Sequence, residues 1–152
     1  MRMRREKNRI FICIFFIFGV ILGLCVMKAY KQWKDDYTGV PDLVSSSSFN
    51  NDYYLTVVAN SRRIEDKEAF AREVIHMCQQ NAFHSIRLST DLGGYPSSLD
   101  ITVYLSRKDI ERREEPVCKI EFLAEDCEGN YEITHDAEMF RLYLDGEAIE
   151  FF

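Results

Sequence analysis

The chain has 152 residues and a formal net charge of −6, which leaves room for one folded domain and an additional segment, and a second domain is not expected. Its charge is unevenly distributed, because residues 114–152 contain 12 acidic side chains against only Lys119 and Arg141. An acidic surface of this kind repels phosphate backbones, so nucleic-acid binding is disfavoured.

The first 27 residues predict a membrane anchor. Residues 1–9 contain five basic side chains against Glu6 alone, and residues 10–27 are uncharged and mostly apolar. As a helix this second stretch would extend about 27 Å, close to the thickness of the hydrocarbon core. The positive-inside rule then predicts a single-pass cell-membrane protein with a cytoplasmic N-terminal tail and the remaining chain outside. Tyr30 and Trp33 follow the span, where aromatic rings favour the headgroup region.

Three further interpretations concern the same segment. A cleavable signal peptide is one alternative, although the apolar run is long and has no A-x-A site. The tetrapeptide at residues 22–25 resembles a bacterial lipobox, but Leu24 stands where that motif has a small residue. Gly19 and Gly23 form a G-x-x-x-G pair, which would let two helices pack closely as a homodimer, although glycine is frequent in membrane helices generally.

Residues 28–52 are predicted to be a flexible tether. They contain Gly39, Pro41 and four consecutive serines at positions 45–48, with few regularly spaced apolar residues. The domain is therefore expected to begin at residue 53 and to continue to residue 152.

An α+β fold is predicted from the elements that follow. Residues 54–59 are β-branched and aromatic, as in a strand, and residues 66–80 have apolar side chains at helical spacing, with Asp66 as N-cap and Asn81 as stop. A second strand is predicted at residues 84–89, so that strand, helix and strand make a crossover unit.

The later segments predict further strands. Residues 99–105 and 117–124 alternate between apolar and polar side chains, and residues 131–134 follow a turn at 128–130. Asp145-Gly146 is the dipeptide that a two-residue hairpin prefers, so residues 139–152 are predicted to form a final strand or hairpin; a helix over residues 136–144 is the alternative. The expected order is β-α-β-β-β, with one more strand in the hairpin, in a mixed or mainly antiparallel sheet with one main helix.

No residue pattern in the chain predicts a catalytic, cofactor or metal site. Cys78 and Cys118 lie on predicted buried faces and are interpreted as small apolar residues. The alternative is a disulfide from Cys127 to either of them, with Cys118 the favoured partner. The histidines and cysteines match no zinc spacing, and the acidic turn at residues 126–132 lacks the glycine and final glutamate of an EF-hand. No G-x-S-x-G occurs. A noncatalytic protein without a cofactor is expected.

The candidate interaction face lies on two of the predicted strands. Alternation directs the same side of each strand outward; the residues concerned are Asp100, Thr102, Tyr104, Lys119 and Glu121. If these strands are neighbours, they form a mixed charged patch with an aromatic anchor, the residue type that interfaces favour. The alternative is an ordinary solvated sheet face. The sequence therefore favours a membrane-anchored module that binds an envelope protein, or a sensory or accessory subunit of an envelope transport, secretion or signalling assembly.

Overall fold

The computed structural model describes residues 16–30, 38–89, 96–126 and 131–151. The chain divides into two compact units, Met1–Asp36 and Tyr37–Phe152. In the first unit, residues 16–30 form helix α1. No helix among the described residues has both the length and the apolar character needed to cross a membrane. The transmembrane helix predicted over residues 10–27 is therefore not supported, and its residues 10–15 lie outside the described part.

Several other predictions also fall outside the described residues. These are the basic tail at residues 1–9, the aromatic anchor Trp33, the turn at 128–130 and the cysteine pairing through Cys127.

The second unit is an α+β domain built on a mixed sheet. Its elements in chain order are β1 (Asp42–Phe49), β2 (Asp52–Val58), α2 (Lys67–Gln80), β3 (Ser98–Tyr104), α3 (Arg107–Glu111), β4 (Cys118–Ala124), a 3-10 turn (Ala137–Met139), β5 (Phe140–Leu144) and β6 (Glu147–Ile149). The six strands of this described sheet lie in chain order, β1 to β6. Only β2 and β3 run parallel, and every other neighbouring pair is antiparallel. The predicted fold class of this unit is confirmed.

Helix α2 closes one side of the sheet. The Asp66 carboxylate accepts a hydrogen bond from the Ala69 amide at 2.9 Å, and Asn81 ends the helix in the left-handed conformation with φ of 49°. Its buried side chains are Ala71, Val74, Ile75 and Cys78. The predicted helix and its buried face are confirmed, because both caps and the three- and four-residue apolar spacing agree with the tertiary packing.

The core lies between α2 and one face of the sheet. Cross-strand pairing places successive apolar side chains in rows, such as Leu55, Ile101 and Ile120, all of which are buried. The other buried side chains that the strands contribute to this layer are Leu43, Tyr53, Val57, Leu99, Val103, Cys118, Phe122, Phe140 and Leu142. Because side chains alternate along a strand, this packing leaves the intervening residues on the opposite face.

Part of the predicted tether is in fact strand β1. Residues Asp42–Phe49 pair antiparallel with β2, with Ser45 opposite Thr56 and Phe49 opposite Asp52. Asn50 and Asn51 make the connecting turn with φ of 50° and 66°, the left-handed values that a type I′ hairpin requires. Serine has weak strand preference, so only backbone pairing with β2 defines this strand. The tether prediction is wrong for residues 42–52.

The prediction of a strand at residues 84–89 is also wrong. This segment has no strand partner; instead Asn81 holds it by accepting from the Leu88 amide at 2.7 Å and donating to the Leu88 carbonyl at 2.9 Å. Tyr53 donates its hydroxyl to the Ser89 carbonyl at 2.6 Å. Side chains thus satisfy backbone groups of this segment, and β3 rather than residues 84–89 pairs in parallel with β2 and completes the crossover unit.

The C-terminal hairpin is confirmed. Strands β5 and β6 pair antiparallel around Asp145 and Gly146, which have φ of 51° and 85°. The alternative helix over residues 136–144 is limited to the 3-10 turn. Residues 131–134 form a turn rather than a strand, although Ile133 is fully buried and its amide donates to the Pro96 carbonyl at 3.1 Å.

Candidate functional site on the open face of the sheet

The face of the sheet opposite α2 carries the candidate interaction residues. One cross-strand row contains, in order from β2 to β5, Tyr54, Asp100, Glu121 and Tyr143. The next row contains Thr56, Thr102 and Lys119. We call these seven residues together with Tyr104 the open face. Their side chains are intermediate or high in exposure, with Tyr54 at 49%.

Lys119 is the electrostatic centre of the open face. Its ammonium nitrogen lies 2.9 Å from an Asp100 oxygen and 2.9 Å from a Glu121 oxygen. The hydrogen bonds to Glu121 and Asp100 raise the pKa of Lys119 above its ordinary value. Two carboxylates therefore share one cation, and this group of three retains one negative charge.

The backbone of Lys119, like its side chain, makes two hydrogen bonds. The Lys119 amide donates to an Asp145 carboxylate oxygen at 2.8 Å, and the Asp145 amide donates to the Lys119 carbonyl at 2.9 Å. Asp145 thus links β4 to the tight turn between β5 and β6. This double contact positions Lys119 between its two carboxylate partners.

The structure brings most of the predicted face residues together. Asp100 lies directly opposite Glu121, and Thr102 lies opposite Lys119, so β3 and β4 are neighbours as the predicted patch requires. Tyr104 is farther along β3, beyond its last residue paired with β4, and lies opposite Val58 of β2. The anchoring role of Tyr104 remains a prediction.

Two aromatic residues of the open face were not identified from the sequence. Tyr54 and Tyr143 flank the acidic pair in the same row, one on each side. Tyr54 alternates with the buried residues Tyr53 and Leu55, so its outward direction was readable from the pattern. Its position beside Asp100 was not, because that depends on parallel pairing between β2 and β3.

A second polar centre lies at the start of β1, where Asp42 is only 8% exposed. Its carboxylate accepts hydrogen bonds from the backbone amides of His84 and Ser85, at 3.1 and 3.0 Å, and from the Ser85 hydroxyl. Arg107 Nη2 lies 3.5 Å from the carboxylate and donates to the Ser85 hydroxyl at 3.0 Å. These contacts join β1, the segment after α2 and the start of α3.

Asp42 is held in its ionised form by these donors. Burial by itself raises its pKa, but the hydrogen bonds from the Ser85 hydroxyl and from the amides of Ser85, Leu43 and His84 together lower it below the ordinary value. The cluster is saturated with internal hydrogen bonds, so we interpret it as a structural connection.

The remaining candidate residues concern metal binding, the cysteines and the glycine pair. No group of three or more His, Cys, Asp or Glu residues there is arranged to hold a metal ion. Cys78 and Cys118 are buried in the core, as predicted, and both are free thiols. In α1, Gly19 and Gly23 have no described atom within 4 Å of the position a side chain would take, and their packing role remains a prediction.

Comparison with protein-family models, curated proteins and solved structures finds no match to this chain.

Proposed function

We propose that this chain is a noncatalytic, membrane-anchored protein whose folded unit binds another envelope protein through the open face. In this proposal residues 10–27 are the single anchor, the N-terminal tail is cytoplasmic, and the sheet domain is outside the cell membrane. The uncharged run at residues 10–27 and the preceding basic residues support that topology.

The observation that supports protein binding is the composition of the open face. Tyr54 and Tyr143 flank the Asp100–Glu121 pair, while Lys119 bridges the two carboxylates. Tyrosines supply large contact area at low entropic cost, and a partly neutralised charge cluster supplies directional hydrogen bonds. A partner with complementary donors can replace water on this face without desolvating an isolated charge.

Recovery of the partner with the full-length protein tests the proposal. The test variants are Tyr54→Ala, Tyr104→Ala and Asp100→Lys. We expect at least one tyrosine variant to reduce recovery about tenfold, the usual effect of removing a central aromatic contact. Asp100→Lys should reduce recovery as well, because it reverses the charge beside Lys119.

Matched controls lie on other surfaces of the same domain. Glu73→Lys changes an exposed acid on α2, and Ile86→Ala removes an exposed apolar side chain after that helix. Both should leave recovery unchanged, and every variant must melt within a few degrees of the parent. Equal recovery with all five folded variants would exclude the open face as the binding surface.

A further inference from the structure

Strand β1 is an edge of the described sheet, and part of it is exposed. The strand order leaves β1 and β6 as the two edges of the described sheet. Residues 45–49 of β1, which we call the free strand, are exposed on both faces, and Phe49 is 71% exposed. An edge of this kind offers unpaired backbone groups to another strand.

The turn defines which backbone groups are unpaired. Phe49 and Asp52 close the two-residue turn and therefore exchange both backbone hydrogen bonds. Pairing alternates along an antiparallel ladder, so Ser47 and Ser45 also direct their N–H and C=O groups toward β2. The N–H and C=O groups of Ser46 and Ser48 point to the free edge.

The two edges differ in what would oppose another strand. β6 has only three residues, contains Glu147 and is followed by Glu150, within the acidic segment 114–152. The free strand has no charge, and residues 43–51 contain no ionisable side chain. Two copies of this acidic domain would therefore repel each other at β6 but meet without charge at β1.

We infer that the free strand pairs antiparallel with the free strand of a second copy, forming one continuous sheet across a twofold axis. The backbone carries this contact, and the uncharged side chains permit it. The inference does not depend on partner binding at the open face.

The register follows from the ends of the free strand. An irregularity between Leu43 and Ser45 limits it on one side, and the turn limits it on the other, so Ser47 is its midpoint. When the strands pair about Ser47, Ser46 of each copy lies opposite Ser48 of the other copy. The N–H and C=O groups of Ser46 and Ser48 that point to the free edge then all become hydrogen-bonded. The two open faces then lie on the same side of the joined sheet.

A cysteine at the axis tests the inference in the full-length protein. Cys13, Cys25 and Cys127 are first replaced by alanine, and Ser47→Cys is then oxidised mildly in membranes. Ser47 forms a non-hydrogen-bonded pair with its own copy, with Cα atoms about 4.5 Å apart, within the range for a disulfide. A disulfide-linked homodimer is the expected product.

Cysteines at two control positions distinguish specific pairing at Ser47 from disulfides formed by random collision. Ser46→Cys lies on the same strand, but its two copies are offset diagonally by roughly 7–8 Å or more, beyond easy disulfide reach. Ala82→Cys is exposed after α2. Both should give much less dimer than Ser47→Cys. Equal dimer at all three positions, or a disulfide to a different protein at Ser47→Cys, would overturn the inference.

A proline at the edge tests the hydrogen bonds themselves. The Ser46 N–H points away from β2, so Ser46→Pro keeps the internal ladder and removes only an edge donor. Added to Ser47→Cys, it should reduce the dimer to the Ala82→Cys level. If that variant unfolds, Ser46→Lys places a charge on the edge and should have the same effect. An undiminished dimer in the folded variant contradicts the pairing. Tyr143→Ala changes the open face on β5, away from the free strand, and should leave the dimer unchanged.

Discussion

At the scale of single residues, Asp42 links the acid response of the domain to its tertiary structure. The pKa of its carboxyl group is lower in the folded protein than its ordinary value of 3.8. The ionised form therefore favours the folded state above that value, and this contribution is lost as the pH falls through the lower folded pKa.

The first prediction follows from that sign. Asp42→Asn should be less stable than the parent at pH 7, because an uncharged amide cannot replace a carboxylate that accepts from several donors at once. The difference should narrow as the pH falls below 3.8, because the parent loses the contribution of ionised Asp42 as the pH passes through the lower pKa of the folded protein. Urea unfolding at several pH values measures the difference in the free energy of unfolding between variant and parent. Glu73→Gln, which changes an exposed carboxylate, is the control. A gap that stays constant with pH would contradict the assignment.

The buried thiols give the second prediction. The pKa of Cys118 is raised to about 11, mainly by burial and also by the charge of Asp145, while Lys67 opposes the shift. Burial raises the pKa of Cys78 still more. Neither residue should therefore react with a thiol reagent at pH 8 while the domain is folded, and both should react in urea. Mass spectrometry of the labelled peptides distinguishes the states. Rapid native labelling of either cysteine would show that the core is open.

At the scale of elements, some segments take their conformation from local sequence signals and others from pairing with distant segments. Both ends of helix α2 are determined by its local sequence, because Asp66 and Asn81 cap it without contacts from distant residues. Strand β1 and the segment after α2 have no such signals. Their conformations depend on β2 and on the side chains of Asp42 and Asn81.

The third prediction concerns the N-cap of α2. Asp66→Ala removes the acceptor for the Ala69 amide and should lower the free energy of unfolding by about 1 kcal/mol. Asp66→Ser supplies another acceptor and should recover most of that loss. Chemical denaturation of the three proteins gives the comparison. Identical stability for alanine and serine would show that the cap contributes nothing.

At the scale of the whole molecule, the two faces of the sheet differ, because helix α2 covers only one of them. Helix α2 packs on the face that contains the apolar rows, and the opposite face exposes charged and aromatic side chains. The only parallel pair among the described strands, β2 with β3, joins the two halves of the open face and places Tyr54 beside Asp100.

The fourth prediction tests the proposed topology. Ser45→Cys, in a chain whose Cys13, Cys25 and Cys127 are replaced by alanine, places an exposed thiol on β1 of the folded unit. An impermeant reagent should label this position in intact cells, because the domain is proposed to lie outside the membrane. The same variant after lysis provides the maximum signal. Labelling that requires lysis would place the domain inside the cell and refute this topology.

The sequence by itself determined the elements whose information is local. The caps and apolar spacing of α2, the alternation of β3 and β4, and the Asp145-Gly146 turn were all readable, because each depends on neighbours within a few residues. The same alternation identified the five predicted face residues, although it did not bring them into contact.

Only the tertiary structure decided how distant segments pair. Serine-rich β1 became a strand because β2 supplies its backbone partners, and residues 84–89 stayed irregular because side chains satisfy theirs. The contacts of Lys119 with Asp100 depend on the register between β3 and β4. Backbone hydrogen bonds can be satisfied by any nearby group, and which group is nearby is a property of the folded chain rather than of the local sequence.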